Sequence, residues 1–441
     1  MNVVLALYSA LTWVGQPLLR RKLRQRALAE PGYGLKVEER FGRYEPESLG
    51  RDGAGRWVWV HAVSLGETRA AAILIAALRA QMPGMRLLLT HGTATGRSEG
   101  RKLLRAGDLQ VWQPWDTRAA VERFVAQFRP AVGVLMETEV WPNLAAICRA
   151  HGIPLALANA RLNSRSLDKA LKLSALSMPA YQALAAVWAQ TQADAQRLRA
   201  LAAPVRGVLG NLKFDVLPDA ALLAQGAQWR HRSARPVVML ASSREGEEAL
   251  FIAALHRLGA QALKVQWLLV PRHPQRFEAV ALALQAAGLR VSRRSEWLGA
   301  PPRALAQAGE ECLWLGDSLG EMPLYYGMAD AALLGGSFAP FGGQNLIEAA
   351  ACGCPMLVGP STFNFAEAAE LACAAGAARR VADLDAGLQA ALALVLDVPA
   401  RTAAVARCLE FAQAHRGAAQ ATARAIEQLL HSARSAAGTR R

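Results

Sequence analysis

The 441-residue chain lacks most of the features that declare a chemistry outright. It has no CxxC pair. Its six cysteines are Cys148, Cys312, Cys352, Cys354, Cys373 and Cys408, and the Cys352-Gly353-Cys354 spacing suits neither a zinc knuckle nor a redox motif. They read as reduced, partly buried core residues of a cytosolic compartment. No P-loop with its Lys-Ser/Thr ending, no HExxH and no GxSxG elbow occurs. The one DxD, Asp383-Leu384-Asp385, lies late in a helical stretch and reads as a surface turn. Metal-dependent sugar-nucleotide chemistry is therefore not indicated, and no cofactor is expected. Acidic residues are scarce too, with 35 Asp and Glu against 50 Lys and Arg, a net charge of +15. No RNA-binding aromatic signature and no helix-turn-helix pattern stands out, so a membrane surface is favoured over nucleic acid as the basic chain's partner.

A long apolar run is also missing. The nearest is Val3 to Leu19, interrupted by Ser9, Thr12, Gln16 and Pro17 and followed at once by Arg20, Arg21, Lys22, Arg24 and Arg26. A signal peptide carries its charge before the apolar run and a small-residue cleavage site after it. Here the order is reversed, which reads as a retained anchor. The run is close to the lower limit of about 17 residues for spanning a bilayer, so it either spans or lies in the interface. The basic cluster then stays on the cytoplasmic side.

What is present is abundant apolar sequence, 53% of the chain, arranged as short runs alternating with Ala/Leu-rich amphipathic stretches. This is an α/β pattern. Strands are expected at Trp57 to His61, Arg86 to Thr90, Gln110 to Gln113, Ala131 to Met136, Pro154 to Ala158 and Ala186 to Gln190. The alternation restarts past Gly210-Asn211-Leu212-Lys213-Phe214-Asp215, with strands at Pro236 to Ser242, Gln266 to Val270, Cys312 to Leu315, Ala331 to Leu334 and Pro355 to Val358. Two Rossmann-like domains in tandem imply a central cleft faced by the carboxyl ends of both strand sets. The expected division is 1–26 for the anchor and its basic flank, 27–210 and 211–431 for the two domains with the C-terminal helices in the second, and 432–441 for a basic tail.

Chemistry-bearing residues cluster at strand ends. Ser64-x-x-Glu67 opens a helix as a capping box, in which Glu67 bonds back to the N-cap amide; a cleft carboxylate desolvated there also suits a general base. Glu137 and Glu139 end the buried run before Trp141-Pro142-Asn143, where an uncompensated core carboxylate would be costly. Arg161 and Arg165 follow a strand and suit a phosphate or carboxylate, or a solvated surface. Lys213 sits at the interdomain junction. In the second half, Ser242-Ser243-Arg244 precedes the acidic helix start Glu247-Glu248, which helix capping explains. Arg272, His273 and Arg276 crowd one strand end, and Asp317, Ser318 and Glu321 another. Gly335 to Glu348 reads strand, glycine loop, helix, the arrangement that brings backbone N–H groups to a phosphate. It also reads as a flexible turn before an ordinary helix.

Together these motifs are more specific than any one of them. Arg40-Phe41-Gly42, Val60-His61-Ala62-Val63-Ser64-Leu65-Gly66-Glu67, Pro114-Trp115-Asp116, Glu137-Thr138-Glu139-Val140-Trp141-Pro142-Asn143, Asn159-Ala160-Arg161, Gly210 to Asp215, Pro271-Arg272-His273-Pro274, Gly320-Glu321-Met322 and Asn345-Leu346-Ile347-Glu348 resemble the 3-deoxy-D-manno-octulosonic acid (Kdo) transferases of lipopolysaccharide assembly. The resemblance runs over nearly the whole chain. It implies a GT-B fold and an inverting, metal-independent transfer of Kdo from CMP-Kdo to the lipid A precursor at the cytoplasmic face of the inner membrane. It assigns Glu67 as general base and Glu137 and Lys213 to transition-state stabilisation. Pro271, Arg272, Gly320, Glu321, Met322, Asn345, Leu346, Ile347 and Glu348 would hold CMP. The family often has proline where this chain has Leu346. A different GT-B enzyme using a UDP-sugar, and a basic scaffold without catalysis, are the other readings of the same residues.

Overall fold

A computed structural model describes residues 3–45, 57–297, 299, 301 and 312–438. The chain divides into two compact units, Met1–Asp215 with Arg416–Arg441, and Val216–His415. The first carries a seven-stranded sheet in the order β3-β2-β1-β4-β5-β6-β7, with β1 Trp57–His61, β2 Arg86–His91, β3 Leu109–Trp112, β4 Val132–Met136, β5 Leu155–Ala160, β6 Ala186–Ala189 and β7 Val205–Val208. Every pairing is parallel. Alternation decides which side chain serves which face: Trp57 and Trp59 of β1 enter one core layer with Leu88 and Leu135, whereas Val58 and Val60 enter the other with Leu87, Leu89 and Val134. Both faces are covered by helices, as the near-continuous apolar strands require.

The second unit repeats the plan. Its parallel sheet runs β10-β11-β9-β8-β12-β13-β14, with β8 Val237–Ser243, β9 Gln266–Pro271, β10 Arg290–Arg293, β11 Cys312–Leu315, β12 Ala331–Leu334, β13 Met356–Val358 and β14 Ala378–Arg380. Every strand expected from the sequence is present. Three were not foreseen: β7, β10 and β14, whose sequences are VRGV, RVSR and ARR. All three are edge strands, half exposed, so polar and apolar residues mix in them and the apolar signal fades.

Two further differences concern the ends. The unit boundary lies at Asp215, and the last helix, Ala418–Gly438, belongs to the first unit rather than the second. Its Ala418, Ala419, Ala423, Ile426 and Leu430 pack into the Val58/Val60 layer. Nothing in an alanine-rich helix tells which sheet it will cover. The helix also runs into the stretch read as a tail, of which residues 439–441 lie outside the described residues.

At the other end, Val3–Val14 and Gln16–Ala29 are separate helices joined at Gly15. No single described helix is long and apolar enough to cross a membrane. The first helix is docked by its polar side: Tyr8 Oη donates to Asp116 Oδ2 at 2.9 Å and Ser9 Oγ to Asn143 Oδ1 at 2.7 Å. Val3, Leu7, Leu11 and Val14, spaced as one stripe of the first helix, are 61–72% exposed, and Leu18 of the second helix is 70% exposed. The five cysteines whose side chains are described are free.

Candidate active site

In an open parallel sheet, ligands bind beyond the carboxyl ends of the strands at the point where the strand order reverses. In the first unit that point lies between β1 and β4, and two of the expected residues sit there. The turn after β1 carries Glu67 in the first turn of the helix Leu65–Gln81. Ser64 Oγ caps that helix by accepting from Glu67 N at 3.4 Å. The Glu67 carboxylate does not return to the Ser64 amide as a capping box predicts. It accepts from Val63 N at 2.7 Å and from Ser64 Oγ at 3.3 Å. Burial pushes its pKa up to about 7; the Val63 bond opposes this, and the nearby Glu137 and Glu139 add to it. A carboxyl titrating there accepts a proton at neutral pH far more readily than an ordinary glutamate.

Glu137 follows β4. Its backbone is left-handed, φ 58°, held there by Glu137 N to Ala158 O at 3.0 Å and by Arg161 N to Glu137 O at 3.2 Å. The strain turns the side chain inward, where it is 2% exposed. Arg161 Nε lies 2.7 Å from Oε2 and Lys213 Nζ 3.8 Å from Oε1. Lys213 rides on a short 3₁₀ turn, Leu212–Asp215. That turn is tied to the end of β5 by Leu212 N donating to Asn159 Oδ1 at 3.0 Å, and Asn159 is itself left-handed at φ 52°. Glu139 is turned another way: Trp141 Nε1 donates to it at 2.7 Å, and burial raises its pKa. Glu67, Glu137 and Lys213 thus belong to one unit.

In the second unit the order reverses between β8 and β12. The glycine loop after β12 wraps around one carboxylate. Glu247 is fully buried and accepts from Gly336 N at 2.7 Å, Phe338 N at 3.0 Å, Ala339 N at 3.2 Å and Arg244 N at 2.8 Å. Helix capping, the expected role, covers only the last of these. Gly335 is required because a Cβ there would stand 2.5 Å from Ser242 O at the end of β8. Asn345 caps the helix Leu346–Ala351 through Ile347 N at 3.2 Å. Leu346 and Ile347 point into the core, which leaves Asn345 and the half-buried Glu348 as the motif's polar side chains. Pro271 ends β9, and Arg272 is exposed, its amide bonded to Ser243 O at 3.0 Å. Glu321 accepts from Arg294 Nη2 at 2.8 Å and from Ser318 Oγ, while Ser242 Oγ lies 4.0 Å from Met322 Sδ.

Other expected residues are engaged structurally. Arg276 forms a two-pronged pair with the buried Glu248, at 2.8 and 2.9 Å. Asp317 holds Arg293 and Ser295. Asp383 caps the helix Leu384–Leu396, and Asp385 pairs with Arg257 at 2.7 Å. Arg244 stacks on Phe341 at 4.2 Å and pairs with Glu245. Two residues went unnoticed as site supports, Glu247 and Asn159. Their acceptor roles depend on contacts nearly ninety and more than fifty residues away in sequence.

A family profile described as 3-deoxy-D-manno-octulosonic-acid transferase (kdotransferase) matches residues 36–216. A 3-deoxy-D-manno-octulosonic acid transferase of Bordetella pertussis is 47% identical over 401 residues, 88% of this chain and 92% of that one. The chain belongs to the 3-deoxy-D-manno-octulosonic acid transferase family. It is thereby a glycosyltransferase. The Kdo transferase of Haemophilus influenzae is 31% identical over 82% of this chain and 83% of its own. A probable mitochondrial Kdo transferase of Arabidopsis thaliana is 32% identical over 82% and 81%. The fold is shared more widely. A UDP-GlcNAc 2-epimerase of Neisseria meningitidis, 14% identical, superposes with a TM-score of 0.54 over 85% of this chain and all of its own. A Rickettsia africae glycosyltransferase, 11% identical, gives 0.53 over 86% and 98%. The two parallel-sheet α/β units of this Kdo transferase thus resemble those of GT-B glycosyltransferases.

Proposed function

We propose that the protein is an inverting, metal-independent enzyme that transfers Kdo from CMP-Kdo to the lipid A precursor during lipopolysaccharide assembly. The observation that carries this reading is the Glu67 carboxyl, half-buried, raised to about 7 and aimed by the Val63 amide. Glu67 takes the proton of the acceptor hydroxyl as its oxygen attacks the anomeric carbon. The bond from that carbon to the CMP phosphate breaks, and CMP leaves with the electron pair. One displacement inverts the anomeric centre. Glu137 and Lys213, ion-paired beside the switch point of the same sheet, balance the charge that builds up during transfer. The second unit supplies the donor set: Pro271, Arg272, Gly320, Glu321, Met322 and Asn345 to Glu348 for CMP, with the Arg272 guanidinium against its phosphate, since the glycine-loop amides of Gly336, Phe338 and Ala339 are taken by Glu247.

The acceptor is a lipid, and the apolar outward stripe of Val3–Val14 with the following Arg20 to Arg26 run supports residence on the cytoplasmic face of the inner membrane. The test is product analysis by mass spectrometry with CMP-Kdo and the tetraacylated precursor, in EDTA. The expected result is Kdo addition by the wild type and CMP binding without transfer by Glu67→Ala. Near-normal turnover of Glu67→Ala reduces Glu67 to a helix cap, and inhibition by UDP rather than CMP moves the donor to another class.

A further inference from the structure

The segment from His91, the last residue of β2, to Arg101 carries chemistry-bearing residues that the reaction above leaves unused. Its first member, His91, is fully buried. Its Nδ1 lies 2.9 Å from Ala62 O and 3.3 Å from Thr68 Oγ1. A carbonyl oxygen only accepts, so Nδ1 carries the proton and Nε2 is the bare nitrogen. Nε2 has no hydrogen-bond partner and lies against Gly100, where a Cβ would stand 2.2 Å from it. A proton on Nε2 would be an orphaned buried donor. Accordingly burial, with Arg97 adding to it, pushes the His91 pKa down to about 4, so the ring is neutral throughout the neutral range.

The carbonyl that His91 holds belongs to the same peptide group as the Val63 N–H. That N–H donates to Glu67 Oε2 at 2.7 Å. His91, one peptide plane and the Glu67 carboxylate therefore form a single hydrogen-bonded chain, in which each bond polarises the next. The other side of the turn is clamped separately: Val63 O accepts from Gly92 N, Thr93 N and Thr93 Oγ1 at 3.2, 3.0 and 2.9 Å, and Ala62 N donates to Thr90 O. The clamp holds the turn in place, and among the described residues His91 is the side chain that bonds the carbonyl of the peptide facing the base.

We propose that His91 is a positioning residue for the catalytic base, orienting and polarising the Ala62–Val63 peptide that aims the Glu67 carboxylate. This rests on Glu67 being the base. The Val63 bond stabilises the carboxylate form of Glu67, so weakening it raises the Glu67 pKa and moves the acidic limb of the rate profile to higher pH. The groups facing the pair are Glu137 and Glu139 at Glu67, and Arg97 and His61 at His91, and all remain in place in the variants.

The experiment measures Kdo transfer against pH for the full-length wild type, His91→Leu and His91→Asn, with thermal melting as the control for folding of the first unit and CMP affinity by calorimetry as the control for the second. Asn Nδ2–H can occupy the place of imidazole Nδ1–H. The expected result for His91→Leu is a kcat lower by about tenfold, a donor KM within about twofold and an acidic limb raised by about half a unit. His91→Asn restores most of both. If His91→Leu does not fold, His91→Gln takes its place, since its longer amide displaces the donor and must also move the limb. An unmoved limb in His91→Leu, or in His91→Gln where it stands in, overturns the proposal, as does a His91→Asn loss equal to that of His91→Leu, which would mean packing alone. A parallel Glu67→Ala separates the layers. Near-normal turnover there removes the base assignment and this inference together, whereas an inactive Glu67→Ala beside an unmoved His91→Leu overturns the positioning role only.

Discussion

Glu67 and Glu137 are two carboxylates at adjacent strand ends with opposite environments. Glu67 is desolvated without a cation, so its proton affinity rises to about 7. Glu137 is deeper, but two cations reach it from the solvent side, with side chains 57% exposed for Arg161 and 34% for Lys213. That asymmetry sets the sign of a prediction. Glu137→Gln removes a buried charge while both former partners stay hydrated, so the cost of an uncompensated buried ion does not arise. Thermal stability should change by no more than about 2 °C, while transfer falls by about a hundredfold. Calorimetric melting and turnover on one preparation check both; a large loss of stability would make Glu137 a structural anchor. Both residues were legible in the sequence, since a carboxylate directly after a buried strand needs a reason to be there. Which of them is held by cations was not, because the Arg161 and Lys213 pairs arise from the left-handed turns at Glu137 and Asn159.

At the scale of the element, the glycine loop from Gly335 to Gly343 owes its shape to an acid outside it. Four amides converge on Glu247. They occupy it much as they would occupy an anion, which offsets part of its desolvation, although burial still leaves its pKa above the ordinary carboxylate value. In Glu247→Gln one acceptor oxygen becomes a donor facing N–H groups, and each amide left unpaired costs about 1–3 kcal/mol. The loop should loosen and CMP affinity drop by about tenfold, read by calorimetry. Unchanged affinity would show that the loop's shape does not serve the nucleotide. The sequence shows the loop and a helix start carrying Glu247 and Glu248, but not that they meet. β8 and β12 become neighbours only when the sheet order reverses between them.

At the scale of the whole molecule, the net charge of +15 and the outward apolar stripe of the first helix belong to one argument. A helix docked by Tyr8 and Ser9 and apolar on its far side inverts the usual amphipathic order of a globular protein. Each leucine removed from a lipid interface is worth about 1.5–3 kcal/mol. Leu7→Gln combined with Leu11→Gln and Leu18→Gln should therefore abolish sedimentation with anionic vesicles. High salt should weaken wild-type binding only in part, because it screens the Arg20 to Arg26 run and leaves the apolar contact. Vesicle binding unaffected by the triple substitution would place membrane contact elsewhere.

The sequence alone determined the α/β class, eleven of the fourteen strands among the described residues, the restart of the pattern in a second half and the family. Those features are local: apolar runs, glycine loops and contiguous motifs repeat their meaning wherever they occur. The tertiary structure alone decided which sheet the last helix covers, where the edge strands lie and which carboxylate is held by cations. It also decided that the Val63 N–H aims Glu67 while a histidine at the end of the next strand holds the carbonyl of the same peptide. These outcomes depend on neighbours brought together by strand order, and a parallel sheet makes neighbours of residues far apart in the chain.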